Sequence, residues 1–436
     1  MNILMFTNTY RPIVGGVSES VQRLKNRLRD EGHQVLVVAP KMEGQVPEED
    51  VFRAVAVQHF NGSDFSLPVP IPGQLSEAIE AFEPDILHSH HPFLLGDTAA
   101  RAAVTYGLPL VFTHHTLYEH YTHYVPGDSP RMQRFAVALS TEYTQLCDAV
   151  IAPSESIRDL LLRRGANSRV TVVPSGVDTR RFGQGSGAEL RRRLGIADTA
   201  YVVGHVGRLA KEKNLPFLAR AVAKLMAERD DAHFLVVGEG DARSLMQAEA
   251  ERLGVQARLH CTGRLHGQAL IDAYHAMDVF AFASHSETQG MVLVEAMAAG
   301  LPVVAVEAPG VREVLRDGEA GRLLASDDSV TMAQALLELA DPACRTPMRQ
   351  AALQIAATFD ESRCTSRCLE VYRKAIASGG PLTHADDNTW ERVRSRLGAE
   401  WHMLRHRGRV IRSLLNSDAS LDEALEHAVL QDPAAK

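Results

Sequence analysis

The stretch SHSETQGMVLVEAMAAGLPVVAV (284–306) sets two carboxylates, Glu287 and Glu295, eight residues apart. The first falls in a loop after an apolar run, the second inside an apolar helical pattern, GMVLVEAMAAG. A carboxylate among Met, Val, Leu and Ala is costly to bury unless donors satisfy it, and ribose hydroxyls would. A helix starting near Gly290 would point the unpaired amides of Gly290, Met291 and Val292, with the positive end of its dipole, at a phosphate. Thr288 and Gln289, in the loop that leads in, complete this donor-binding set. In GRLAKEKN (207–214), Arg208 and Lys213 could neutralise a diphosphate from the other side. Arg offers a planar fork and Lys a mobile point charge, which suits a leaving group that gains charge.

Gly15 and Gly16, in PIVGGVSES, let backbone approach a phosphate or sugar without interference from a Cβ. A plain tight turn is the alternative, since the third glycine of the dinucleotide fingerprint is missing. FTHHTLYEHYTHYVPG (112–127) carries four histidines and three tyrosines. His115, His120 and His123 are five and three apart, without H-E-x-x-H, so no metal centre is expected. The better reading is a loop or helix in which Tyr118, His120, Tyr121, His123 and Tyr124 face a substrate. His88, His90 and His91, in HSHHPFLLGD, either order the same pocket or are satisfied strand-end histidines.

These residues sit at the ends of short apolar runs. ILMFT (3–7), QVLVVAP (34–40), VFRAVAV (51–57), DILHSH (85–90), PLVFTHH (109–115), DAVIAPS (148–154) and RVTVVPSG (169–176) alternate with helical patterns such as SESVQRLKNRLRDEG. Continuous apolarity fits strands buried on both faces, hence a parallel doubly wound sheet. The pattern restarts with YVVGHVGR, HFLVVGEG, ARLHCTG, VFAFAS and PVVAV after a Gly-rich, loop-like join near 175–200. The expected architecture is α/β, with two open Rossmann-like domains facing a cleft, at 1–175 and 176–378. The helical segment 360–378 either closes the second domain or returns to the first. In such sheets ligands bind beyond the carboxyl ends of the strands, which puts every segment above in functional positions.

Through PIVGGV, GRLAKEKN, PSGVDTRRF and the E-x7-E segment SETQGMVLVE, the chain resembles the retaining GT-B glycosyltransferases of family 4. The resemblance covers residues 1–378, short of the tail. It implies a nucleotide diphosphate sugar held mainly by the C-terminal domain, an acceptor held mainly by the N-terminal domain, and no metal. Glu295 would bind the ribose, Glu287 the donor sugar hydroxyls, and Arg208 and Lys213 the diphosphate. Gly263, Arg264 and Leu265 would lie near the base. His115 would sit beside the transferred sugar, making His115, Arg208, Lys213 and Glu287 the catalytic set. The acceptor side would comprise His90, His115, Tyr118, Tyr121 and Tyr124. A UDP-hexose is the expected donor, with GDP-mannose the alternative, and no cofactor is expected. THHTLYEHYTHYVP also resembles bacterial diacylglycerol glucosyltransferases of this family, which points to a lipid acceptor. The rivals are a soluble or saccharide acceptor and a nucleotide-sugar epimerase on the same architecture.

Composition fits a soluble globular chain: 436 residues, 45% hydrophobic, net charge −8, with five scattered cysteines and no CxxC. That acidity argues against nucleic acid as a partner. No apolar run is long enough to span a bilayer, so the chain is expected in the cytoplasm, free or peripheral on the inner membrane face. The segment 390–416 carries both tryptophans, seven arginines and two glutamates, with Trp390, Val393, Leu397, Trp401, Leu404, Ile411 and Leu415 on one helical stripe. That pattern suits an anionic membrane surface, and equally a helix packed on its own body or on a second subunit. The oligomeric state is left open.

Overall fold

The computed structural model describes residues 1–13, 15–57, 67–68, 72–120, 129–166, 169–285 and 287–378. The chain divides into two compact units. One is Met1–Gly176 with the segment that begins at Ser362, and the other is Val177–Glu361.

The first unit holds β1 (Asn2–Phe6), β2 (Gln34–Pro40), β3 (Val51–Ala54), β4 (Ala56–Val57), β5 (Leu67–Pro68), β6 (Ile86–Ser89), β7 (Leu110–Thr113), β8 (Ala149–Ala152) and β9 (Val170–Val172). Seven of these form a parallel sheet in the order β3-β2-β1-β6-β7-β8-β9. The run VFRAVAV is not one strand. Its end, β4, leaves the sheet and pairs antiparallel with β5. Continuous apolarity along β1 has the expected cause: Ile3, Leu4, Met5 and Phe6 are all fully buried. Leu4 and Phe6 join the core on one face, Ile3 and Met5 the core on the other.

The second face is closed by the helix Glu361–Ala377, through Cys368, Leu369, Val371, Tyr372 and Ala375. Their helical spacing makes one apolar stripe, and each fully buried Leu or Val contributes roughly 1.5–3 kcal/mol. The last described helix therefore returns to the first unit and does not close the second.

The second unit contains β10 (Tyr201–Val206), β11 (Ala232–Val237), β12 (Leu259–Cys261), β13 (Val279–Phe282), β14 (Val303–Val306) and β15 (Gly321–Leu324). They form a parallel sheet in the order β12-β11-β10-β13-β14-β15. The join near 175–200 is not a loop. It carries the helices Thr179–Phe182 and Ala188–Leu194, and its glycines serve packing, since a Cβ on Gly187 would lie 2.3 Å from the His275 carbonyl oxygen. Residues 379–436, with the tryptophan–arginine stripe, lie outside the described residues, as do Tyr121, His123 and Tyr124.

Candidate active site

In each sheet the order reverses once, between β1 and β6 in the first unit and between β10 and β13 in the second. Loops diverge to opposite faces at such a point and leave a crevice at the strand ends. The loop after β10 holds Arg208 and Lys213, and the loop after β13 holds Glu287 to Gly290.

Those two loops are fastened to each other. Lys213 Nζ forms an ion pair with Glu287 Oε1 in which both side chains are 18% exposed. Asn214 Nδ2 donates to Asp327 at 2.7 Å and lies 3.2 Å from His285 Nε2. Ser284 Oγ donates to the Glu212 carbonyl at 3.4 Å. Arg208 pairs with Glu212 on its own loop. Asn214 holds φ at 52°, left-handed backbone that asparagine tolerates, and so turns the chain into the helix Leu215–Glu228.

The helix Met291–Ala298 begins at Gly290, whose φ of 68° supplies the left-handed turn, and no side chain caps it. Its first amides keep no intrahelical acceptor by geometry, and the dipole adds positive potential. Gln289 and Gly290 are buried, while Glu287, Thr288, Met291 and Val292 are partly exposed at the loop's rim. Glu295, one turn further on, is 9% exposed and accepts from the Tyr274 hydroxyl at 3.0 Å. One carboxylate oxygen thus already has a protein donor.

The segment Gly263–Leu265, expected near the base, sits two strands away, after β12. Gly263 takes φ of 76° and its carbonyl accepts from the Gly238 amide at 2.9 Å. Arg264 pairs with Glu239 at 3.3 Å, and Leu265 packs on the core. The loops after β10, β11 and β12 are pressed together backbone to backbone, since a Cβ on Gly238 would lie 1.9 Å from the Gly207 carbonyl oxygen.

Four residues of this neighbourhood escape motif reading. Gly238 and Gly240 are legible as GEG only once β11 is placed beside β10. Gly310 backs the Glu287 loop from across the sheet end, its amide donating to the Glu287 carbonyl at 3.1 Å. His205 is 1% exposed, bonds the Ala281 carbonyl through Nδ1 at 3.1 Å and has no partner for Nε2 among the described residues. Burial pushes its imidazole down to about 4, so it is neutral.

In the first unit the histidines do gather. His90 Nδ1 lies 2.9 Å from His115 Nε2, and His91 Nδ1 accepts from the Asn8 amide at 3.1 Å. Tyr118 packs edge-on against Phe93 and His114, at 5.3 and 5.7 Å. The Tyr118 hydroxyl and both ring nitrogens of His114 are buried without a hydrogen-bond partner among the described residues. Among those residues no three His, Cys, Asp or Glu side chains are grouped as metal ligands.

Burial holds His88 and His91 down to about 3 and His114 to about 4, and it keeps His90 and His115 well below the ordinary imidazole value. The unfolded chain therefore protonates first. Above pH ~6.5 these groups are neutral in both states, and below it each removes about 1.4 kcal/mol of stability per pH unit until its folded value is reached. Urea midpoints should fall steeply between pH 7 and 5, with uptake of more than two protons on unfolding. A slope under one proton would show that the rings are solvated.

Gly15 and Gly16 start the helix Gly16–Asp30. Gly15 has φ of −172°, extended backbone open to any residue, and a Cβ on either glycine would meet nothing within 4 Å. Neither conformation nor packing among the described residues asks for glycine here. Alanine at either position should leave the thermal midpoint unchanged or slightly raised. If the pair admits a ligand, turnover should drop about tenfold, and an unchanged rate would assign the pair to the turn alone.

The chain matches the family profile Glycosyltransferase Family 4 over residues 14–181 and the profile Glycosyl transferases group 1 over residues 200–341. It is 30% identical to the alpha-monoglucosyldiacylglycerol synthase of Streptococcus pneumoniae over 348 residues, 78% of each chain. It is 32% identical to the GDP-mannose-dependent alpha-mannosyltransferase of Mycobacterium tuberculosis, over 74% of this chain and 84% of that one. Among solved structures, Anabaena HepE in complex with UDP and glucose superposes with a TM-score of 0.69 at 23% identity, covering 86% of this chain and 99% of that one. Sucrose-phosphate synthase from Thermosynechococcus elongatus gives 0.70 at 20% identity, covering 86% and 99%. These structural neighbours share the two-domain fold.

Proposed function

We propose that this chain, which belongs to glycosyltransferase family 4, moves a hexose from UDP-hexose to a hydroxyl of a membrane lipid such as diacylglycerol, with retention and without a metal ion. Its action as a glycosyltransferase on a nucleotide-sugar donor follows from that membership. The carrying observation is the Lys213–Glu287 pair set beside the uncapped helix start at Gly290. The two side chains neutralise each other. With donor bound, Lys213 would turn to the β-phosphate and Glu287 to the sugar hydroxyls.

Departure of the nucleoside diphosphate breaks the bond from C1 to phosphate oxygen and leaves charge on that oxygen. Lys213, Arg208 and the amides at Met291 and Val292 would stabilise it. The acceptor oxygen bonds to C1 on the face just vacated, and its proton passes to the departing phosphate. No protein nucleophile is required. Glu295 would take the ribose, and Gly263–Leu265 would flank the base.

The lipid acceptor is supported by relatives in Streptococcus pneumoniae and Acholeplasma laidlawii, both named alpha-monoglucosyldiacylglycerol synthase. In the first unit, His115 and His90, 2.9 Å apart, would lie nearest the hydroxyl end of the acceptor. The basic stripe at 390–416 would hold the enzyme at an anionic bilayer; no helix among the described residues is long and apolar enough to cross a membrane. A GDP-mannose donor is the second reading, favoured by the mannosyltransferase relative, and a soluble or saccharide acceptor is the rival to the lipid. Incubation with labelled UDP-glucose or GDP-mannose, a total lipid extract and EDTA separates them. Label from UDP-glucose should enter the organic phase. Label confined to water-soluble product would refute the lipid acceptor.

A further inference from the structure

We propose that Tyr372 is a positioning residue for His115, acting through the buried histidines His88 and His90. The inference rests on the reading of His115 as part of the acceptor pocket.

Residues 88 and 90 follow one another on β6 and its continuation, as 113 and 115 do on β7. Two-residue spacing puts all four on one face of neighbouring parallel strands. That is the face covered by the helix Glu361–Ala377, since Ile86 and Val111 share its core with Leu369 and Tyr372. Tyr372 is fully buried, and its hydroxyl lies 2.6 Å from His88 Nδ1. On the other side of the ring, His88 Nε2 lies 2.7 Å from Thr113 Oγ1. A neutral imidazole has one donor and one acceptor, and two hydroxyls can serve either, so both nitrogens are satisfied and the ring has one orientation.

The His88 ring then supports the next. Its centroid is 4.1 Å from that of His90, and His90 Nδ1 lies 2.9 Å from His115 Nε2. A contiguous path thus runs from the returning helix to His115, each step at contact or hydrogen-bond distance. The rest of the helix's buried stripe is mainly Cys, Leu, Val and Ala. Packing alone would be served by phenylalanine at 372; the hydroxyl is what fixes His88.

Two variants test this. Tyr372→Phe keeps the ring and leaves the His88 nitrogen buried without its partner. Its thermal midpoint should fall, and its kcat, read well below that midpoint, should drop about tenfold, since small displacements of a pocket group are costly to turnover. UDP affinity should stay within twofold, because the donor loops belong to the other unit. Adding His88→Leu together with Thr113→Val removes every partner left orphaned, so stability should recover, as it does when both ends of a buried hydrogen bond become apolar. Turnover should remain low, because nothing then fixes His90. A kcat for Tyr372→Phe within twofold of wild type overturns the proposal. So does a kcat that recovers together with the midpoint in the combined variant. Failure of the lipid reading would show separately, in the wild type, as no label in the organic phase. The same kcat ratios are then read on the water-soluble acceptor that the wild type uses.

Discussion

Lys213→Ala is expected to lower kcat by about two to three powers of ten, the range for losing one preorganised charge-stabilising donor. Two effects add at this position. On the proposed donor site the departing phosphate would lose a cation, and Glu287 would lose the partner that neutralises it. Both side chains are mostly covered, so solvent cannot substitute well. Arg208 is 48% exposed and paired with Glu212, hence better screened, and Arg208→Ala should fall at the lower end, about 10². Lys213→Arg keeps the charge but carries a rigid fork where a point charge is wanted, and should restore only part of the rate. Initial rates of UDP release at saturating donor measure all three. Wild-type turnover in the Arg208→Ala, Lys213→Ala double variant would remove both residues from the chemistry.

Gly310→Ala should cost about 10- to 100-fold in turnover, and 1–3 kcal/mol of stability through overpacking. A Cβ at this position would lie 2.6 Å from the Gln289 amide nitrogen and 2.6 Å from the Glu287 carbonyl oxygen. Both are backbone atoms, so no flexible side chain can yield in their place. The loop that carries Glu287 and leads to the Gly290 helix start must move instead. Rate and thermal midpoint, measured together, should both fall; a variant as active as wild type would mean that the loop's position is not critical.

Gly310 also shows where sequence reading stops. The parallel strands were legible because burial on both faces forces apolar residues at every position, as Ile3 to Phe6 show. The loop after β13 was legible because a carboxylate within GMVLVEAMAAG is chemically out of place. Gly310 carries no such mark. Its lack of a side chain is demanded by a loop some twenty residues earlier in the chain, a purely tertiary relation. β15 leaves little mark in the sequence for a similar reason: GRLL opens on a glycine set 1.8 Å, at its would-be Cβ, from the Val303 carbonyl oxygen, so close packing replaces the usual β-branched signal. The returning helix was ambiguous because its apolar stripe says that it packs, not on which sheet.

The most direct measurement is a crystal structure of the UDP complex in which both phosphates are resolved. The β-phosphate should lie within hydrogen-bond distance of the Met291 and Val292 amides, with Lys213 turned from Glu287 towards it. Phosphates placed at other strand ends, with the Lys213–Glu287 pair intact beside them, would contradict the account.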